Sequence, residues 1–212
     1  MWSILCFGDS ITWGAGETPA AGWVGRLKKH VETDEHRAVY NLGICGDTSA
    51  DLAKRFRTEC DARVRIKRPE DQFLILIAIG INDSLWSSGA HRKRFRITPG
   101  RFEQNIMGLI RQARAYPAKV ALIGLTPVDE SLTTPYEETV ISNERIAQFN
   151  DILRTCCKRA DVPFLDVFSL LSAEKYHSML DDGLHPNAKG YAFMHAHIEA
   201  FLRREKLFPA LR

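Results

Sequence analysis

The chain predicts an α/β fold in which helices cover both faces of a parallel sheet. Short apolar runs alternate with helical patterns along its whole length, the signature of that layering. The run Phe73-Leu74-Ile75-Leu76-Ile77-Ala78-Ile79 shows no polar alternation, as a central strand buried on both sides requires. At 212 residues, with 45% hydrophobic and 26% charged side chains, the chain can bury the core of one substantial domain spanning 1–212.

Taken in order, the strands are expected at Trp2–Phe7, Val39–Leu42, Phe73–Ile79, Val120–Leu125 and Pro163–Val167. Helices fall between them. Weak patterns over Trp23–Val31 and Ser49–Cys60 predict two. Phe102, Ile106, Leu109, Ile110 and Ala113 recur at helical spacing behind Thr98, a candidate N-cap, and Pro99 in the first turn. Ile146, Phe149, Leu153, Cys156 and Ala160 form a second stripe, capped by Ser142, and Tyr191, Met194, Ile198, Phe201 and Leu202 form a third that closes the chain. Two stretches read as long loops at the carboxyl ends of strands, where open α/β sheets place their chemistry. Ser84–Ile97 carries Trp86 and the basic run His91-Arg92-Lys93-Arg94-Phe95-Arg96; Thr126–Ile141 carries Pro127, Asp129, Glu130, Pro135, Glu137 and Glu138. No repeat, low-complexity tract or interdomain linker is visible.

Composition narrows the function classes. A formal charge of +3 is too small to argue for nucleic-acid binding. No stretch approaches the roughly 20 apolar residues that span a bilayer, so stable membrane insertion is not expected. The first strand begins at once, without a secretory leader, and cleavage of one here would remove Ser10; the expectation is a cytoplasmic protein. Five cysteines, Cys6, Cys45, Cys60, Cys156 and Cys157, are an odd number without metal-ligand spacing and read as reduced, mostly buried thiols.

Four short blocks carry chemistry. Phe7-Gly8-Asp9-Ser10-Ile11-Thr12 ends the first strand and presents a hydroxyl. Asn41-Leu42-Gly43-Ile44-Cys45-Gly46-Asp47-Thr48 and Gly80-Ile81-Asn82-Asp83 follow the second and third strands, and Asp182-Gly183-Leu184-His185-Pro186 precedes the last helix. A serine is a weak nucleophile unless a base takes its proton, and His185 is the candidate base. An acid three residues earlier can fold back onto the imidazole Nδ1, leaving Nε2 to face Ser10, while Pro186 stiffens the turn. Asp181 and Asp182 both compete for that role on composition alone. The chain order Ser, Asp, His is that of α/β-hydrolases, but their Gly-x-Ser-x-Gly elbow is absent.

In this order the four blocks resemble those of the SGNH (GDSL-type) hydrolase family, named for its serine, glycine, asparagine and histidine, and the likeness runs from first strand to last helix. The resemblance implies a flavodoxin-like three-layer α/β/α sandwich with a five-stranded parallel sheet in the order 2-1-3-4-5, in keeping with right-handed crossovers. It implies a catalytic triad of Ser10, Asp182 and His185, its register choosing Asp182 over Asp181. It also implies an oxyanion hole of the Ser10 N–H, the Gly46 N–H and the Asn82 side-chain amide. The expected activity is cleavage of a small-molecule ester or thioester through an acyl-Ser10 intermediate, with no metal or organic cofactor. Acyl transfer to an alcohol would use the same triad, and a noncatalytic α/β binding module would retain only the fold.

Each block has a structural alternative. An isolated serine or Asp-x-x-His is more often a turn or cap, Gly43 and Gly46 could simply turn the chain, and Asn82 could cap a helix. Asp9, Asp47 and Asp83 read as loop organisers, and His195 as a satisfied boundary histidine, with His197 pointing elsewhere. Gly14-Ala15-Gly16 is too short for a phosphate loop. The basic run reads as a solvated face rather than an anion site. Trp13, Cys45, Trp86 and Thr126-Pro127-Val128 are expected near the pocket by position.

Overall fold

The computed structural model describes residues 1–17, 19, 22–65, 68–89, 92–133 and 139–207. The elements are β1 (Trp2–Gly8), α1 (Ser10–Trp13), α2 (Gly22–Val31), β2 (Arg37–Gly43), α3 (Ser49–Arg63), β3 (Gln72–Ala78), β4 (Trp86–Gly89), β5 (Arg92–Phe95), α4 (Pro99–Ala113), β6 (Ala118–Ile123), α5 (Glu130–Thr133), β7 (Thr139–Val140), α6 (Asn143–Arg159), β8 (Phe164–Leu165), α7 (Val167–Ser172) and α8 (Ala188–Arg204). A 3₁₀ turn spans Tyr176–Met179. Five parallel strands assemble in the spatial order β2-β1-β3-β6-β8, with helices on both sides. Counted along this large sheet alone, the strands follow the expected order 2-1-3-4-5.

Sequence determines where the core lies. β1 and β3 are flanked by strands on both sides, and their interior side chains, including Ile4, Leu5, Ile75 and Leu76, are fully buried. An apolar run without alternation can be satisfied only in that position. Aromatic residues at helical spacing fill the layer of α3, α4 and α6, with Phe56 of α3 on Phe7 and Phe102 of α4 on Phe149 of α6, while α2 packs on α8 in the other layer. The expected caps form: Thr98 accepts from the Arg101 N–H and Ser142 from the Arg145 N–H.

Two expectations need correction. The expected strand Pro163–Val167 shrinks to Phe164–Leu165, because the Asp166 carboxylate accepts from Ser169 N–H and starts α7 instead. The two expected loops are partly ordered into a second, antiparallel sheet, β5-β4-β7, with Trp86 opposite Phe95 on one side and Val140 on the other. Trp-Ser-Ser-Gly and Arg-Lys-Arg-Phe carry no apolar alternation, so local pattern could not reveal it. Tertiary contacts hold it instead. Arg145 of α6 donates to the Ser84 carbonyl at 2.7 Å and the Ile97 carbonyl at 3.0 Å, clamping both ends of the hairpin, and its guanidinium lies 4.1 Å from the Phe95 ring centroid. Of the residues singled out in these two stretches, His91, Pro135, Glu137 and Glu138 lie outside the described residues, as do the side chains of Arg92, Lys93 and Arg94.

Candidate active site

Ser10 opens a four-residue helix directly beyond β1. The strand must approach that helix closely: a Cβ on Gly8 would meet Thr12 Oγ1 at 2.0 Å and the Ala78 carbonyl at 2.4 Å, so only glycine fits. Asp9 caps the turn by accepting from Ile11 N–H at 3.0 Å. Its carboxyl is 2% exposed, and burial pushes its pKa up to about 7. The Ile11 hydrogen bond opposes that rise, and the charges of Asp83 and Asp47 add to it. Ser10 itself is 8% exposed. It is therefore held by the core.

His185 reaches Ser10 from the other end of the chain. Its Nε2 lies 2.9 Å from Ser10 Oγ, and its Nδ1 lies 2.7 Å from Asp182 Oδ2. The second carboxylate oxygen, Oδ1, accepts from Leu184 N–H at 2.9 Å and His185 N–H at 2.8 Å. Gly183, at φ +87°, takes a backbone conformation that suits glycine and lets the chain wrap the carboxylate in this way. Burial alone would raise the Asp182 pKa, but the hydrogen bonds from His185 and Leu184 outweigh it and hold the carboxyl below its ordinary value. An ionised Asp182 takes the proton on Nδ1 as a donor, so Nε2 is left as the acceptor for the serine hydroxyl. Asp181, the competing acid, instead donates its backbone N–H to the His185 carbonyl at 2.8 Å. Behind the turn, Asn187 caps α8 by accepting from Lys189 and Gly190 N–H.

The glycine and asparagine blocks converge beside Ser10 on the ends of the neighbouring strands β2 and β3. Asn82 Nδ2 donates to the Asp47 carbonyl at 3.0 Å, which leaves its second amide hydrogen for another acceptor and fixes the side chain next to Gly46. No described residue accepts a hydrogen bond from the N–H of Ser10 or of Gly46. Asp83 is a loop organiser, as expected: its carboxylate accepts from Ser49 N–H at 2.9 Å and Ser49 Oγ at 2.5 Å, tying the β3 loop to the start of α3. Burial raises its pKa to about 6 against those hydrogen bonds. Asp47 pairs with Arg55 Nε at 2.8 Å, and the same guanidinium donates to the Gly8 and Leu42 carbonyls. That one side chain fastens the ends of β1 and β2 beneath the site.

Sequence reasoning missed Arg55, Arg145 and Arg96. Arg96, placed in a solvated basic run, donates to the Gly46 carbonyl at 3.0 Å and so orients the peptide adjoining a proposed oxyanion donor. A charge run gives no signal for such a bond. Of the residues expected to line a pocket, Trp13 is 48% exposed and Cys45 is exposed, whereas Thr126, Pro127 and Val128 are buried. Val128 belongs to the packing beneath the rim, because its N–H and carbonyl are taken by the Asn143 side chain.

A sequence profile of the GDSL-like lipase/acylhydrolase family matches residues 6–193, which takes in all four blocks. The chain belongs to that family. Its fold and its relatives support acyl-ester cleavage of the serine-hydrolase type. Esterase TesA of Pseudomonas aeruginosa is 31% identical over 125 residues, a stretch covering 58% of this chain and 54% of that protein. The Escherichia coli K12 protein named thioesterase 1/protease 1/lysophospholipase L1 is 26% identical over 192 residues, covering 91% of this chain and 79% of that one. Among solved structures, a lipase/acylhydrolase from Enterococcus faecalis superposes with a TM-score of 0.73 at 25% identity, covering 99% of both chains. No helix among the described residues is long and apolar enough to cross a membrane.

Proposed function

We propose that this GDSL-family chain acts as one unit that hydrolyses carboxylic esters and thioesters through an acyl-Ser10 intermediate. The observation that carries the reading is the continuous Ser10–His185–Asp182 hydrogen-bond chain, 2.9 and 2.7 Å long. His185 Nε2 takes the hydroxyl proton as Ser10 Oγ attacks the carbonyl carbon, and Asp182 stabilises the imidazolium that forms. The negative oxygen of the tetrahedral intermediate accepts from Ser10 N–H, Gly46 N–H and the free Asn82 amide hydrogen. His185 then protonates the departing alcohol or thiol. In the second half, water gives its proton to His185, attacks the acyl carbon, and the acid leaves as Ser10 regains its hydrogen. The names of the Pseudomonas and Escherichia relatives support oxygen and sulfur leaving groups alike. Free thiols on all five cysteines, four of them buried, favour a reducing compartment and a cytoplasmic location.

The deciding experiment is covalent. A fluorophosphonate should add one label per chain at Ser10, and Ser10→Ala should lose both the label and the esterase activity while keeping its circular dichroism. An adduct found only at another residue, with activity surviving in Ser10→Ala, would reject the assignment.

A further inference from the structure

Away from the serine, three potential metal ligands meet where α2 packs on α8. His30 lies in the last turn of α2, and His195 and Glu199 lie one turn apart on the same side of α8. His30 Nδ1 is 3.2 Å from Glu199 Oε2, His195 Nε2 is 3.9 Å from the same oxygen, and the three ligand atoms all lie within 4.8 Å of one another. Four-coordinate zinc, with bonds of about 2.0–2.2 Å to nitrogen and oxygen, separates its ligand atoms by roughly 3.3–3.5 Å. The cluster is near that size already.

We propose that His30, His195 and Glu199 form a binding site for a divalent transition metal of the zinc class that ties α2 to α8. The decisive observation is His195. Its place in the sequence suggests a satisfied histidine, but the residue is 9% exposed and its Nε2 is buried without a hydrogen-bond partner. A buried polar atom without a partner is costly, and a metal ion is one group that would complete it. Glu199 is prepared in a complementary way. Arg203 donates to Oε1 at 2.6 Å, orienting the carboxylate as outer partners of metal ligands do and leaving Oε2 toward the two imidazoles. His30 is exposed, so water can reach the fourth coordination position. Arg26 opposes a cation here, since its charge is felt at His195; the Glu199 carboxylate offsets it.

Such a tie would brace the frame behind the catalytic turn. Arg26 of α2 already donates to the Ala188 carbonyl at the start of α8, three residues after His185. The test is titration of the untagged full chain with Zn²⁺ by calorimetry, alongside His30→Ala, Glu199→Gln and His185→Ala. We expect one strong site in the wild type and in His185→Ala, with affinity at least tenfold weaker in His30→Ala and Glu199→Gln. Zinc should raise the wild-type Tm, and that rise should vanish in His30→Ala, whose side chain is exposed and whose own Tm without zinc is measured beside it. Unchanged affinity in His30→Ala, loss only in His185→Ala, or no strong site in the wild type would each overturn the proposal.

Discussion

The turn carrying Ser10 and the turn carrying His185 meet at one hydrogen bond, yet they are built differently. Ser10 sits at the end of a central strand, with a glycine that nothing else can replace sterically, a buried acid beside it and Arg55 fastening the strand ends below. The Asp182–His185 turn lies at the surface, and the Asp182 side chain is 40% exposed. It keeps its shape through its own bonds: two backbone N–H groups and one ring N–H on a single carboxylate. The proposed nucleophile is thus held by the hydrophobic core, and the proposed base by a local electrostatic knot. Changes to Gly8 and Arg55, which pack and fasten the Ser10 turn, should cost stability, and changes to the Asp182 knot should cost rate.

The largest effect tests the knot. Asp182→Asn can still accept from the Leu184 and His185 N–H groups, so the turn should fold, but it no longer holds the imidazole in the productive tautomer. A loss in kcat of up to about 10⁴-fold with little change in Tm is expected, and Asp181→Asn should be mild because only the Asp181 backbone is engaged. Steady-state kinetics beside thermal melts decides the point. The reverse ranking would transfer the acid's role to Asp181.

Between the two turns lies the proposed oxyanion hole. Asn82→Ala removes one donor and also frees the Asp47 carbonyl. A fall in kcat of about 10²–10³ with a much smaller change in KM is expected, because the bond strengthens as charge develops on the oxygen. A change confined to KM would reduce Asn82 to ground-state binding. One step further out, Arg96 acts as a positioning residue through the Gly46 carbonyl. Loss of one exposed hydrogen bond in Arg96→Ala should lower kcat only about three- to tenfold, with partial recovery in Arg96→Lys. An effect on KM alone would make Arg96 a substrate contact instead.

The contrast between the turns also explains what could be read from the chain. The central sheet was legible because buried strands must be continuously apolar, and Phe73–Ala78 has no other way to be satisfied. The Ser10 and His185 blocks were legible because their chemistry constrains residue type at fixed spacing. The β4–β5–β7 sheet was not, since its order comes from Arg145, 61 residues beyond Ser84 in the chain, and from ring contacts that leave no local period. Arg96 and Arg55 were hidden for a related reason. A basic side chain that donates to backbone carbonyls looks, in sequence, the same as one in solvent.

The smallest effect probes the buried side of the comparison, at Asp9. Its carboxyl is neutral in the folded chain up to about pH 7, against an ordinary value of 3.8. Below the ordinary value Asp9 is protonated in both folded and unfolded chains, and stability is unaffected by its titration. As pH rises from about 4 to about 7, the unfolded chain ionises first, so folding loses stability progressively until the folded group also ionises. In Asp9→Asn the side-chain amide would accept from Ile11 N–H in the same way but cannot titrate. The stability of Asp9→Asn relative to wild type should therefore increase between pH 4 and 7 and level off above that. Asp83, which burial raises to about 6, is coupled to Asp9 by charge, so the comparison is repeated in an Asp83→Asn background to isolate Asp9. Denaturant melts at a series of pH values measure it, and a constant or shrinking difference would mean that Asp9 is ionised in the fold and that the Ser10 turn, like the His185 turn, is held by charge.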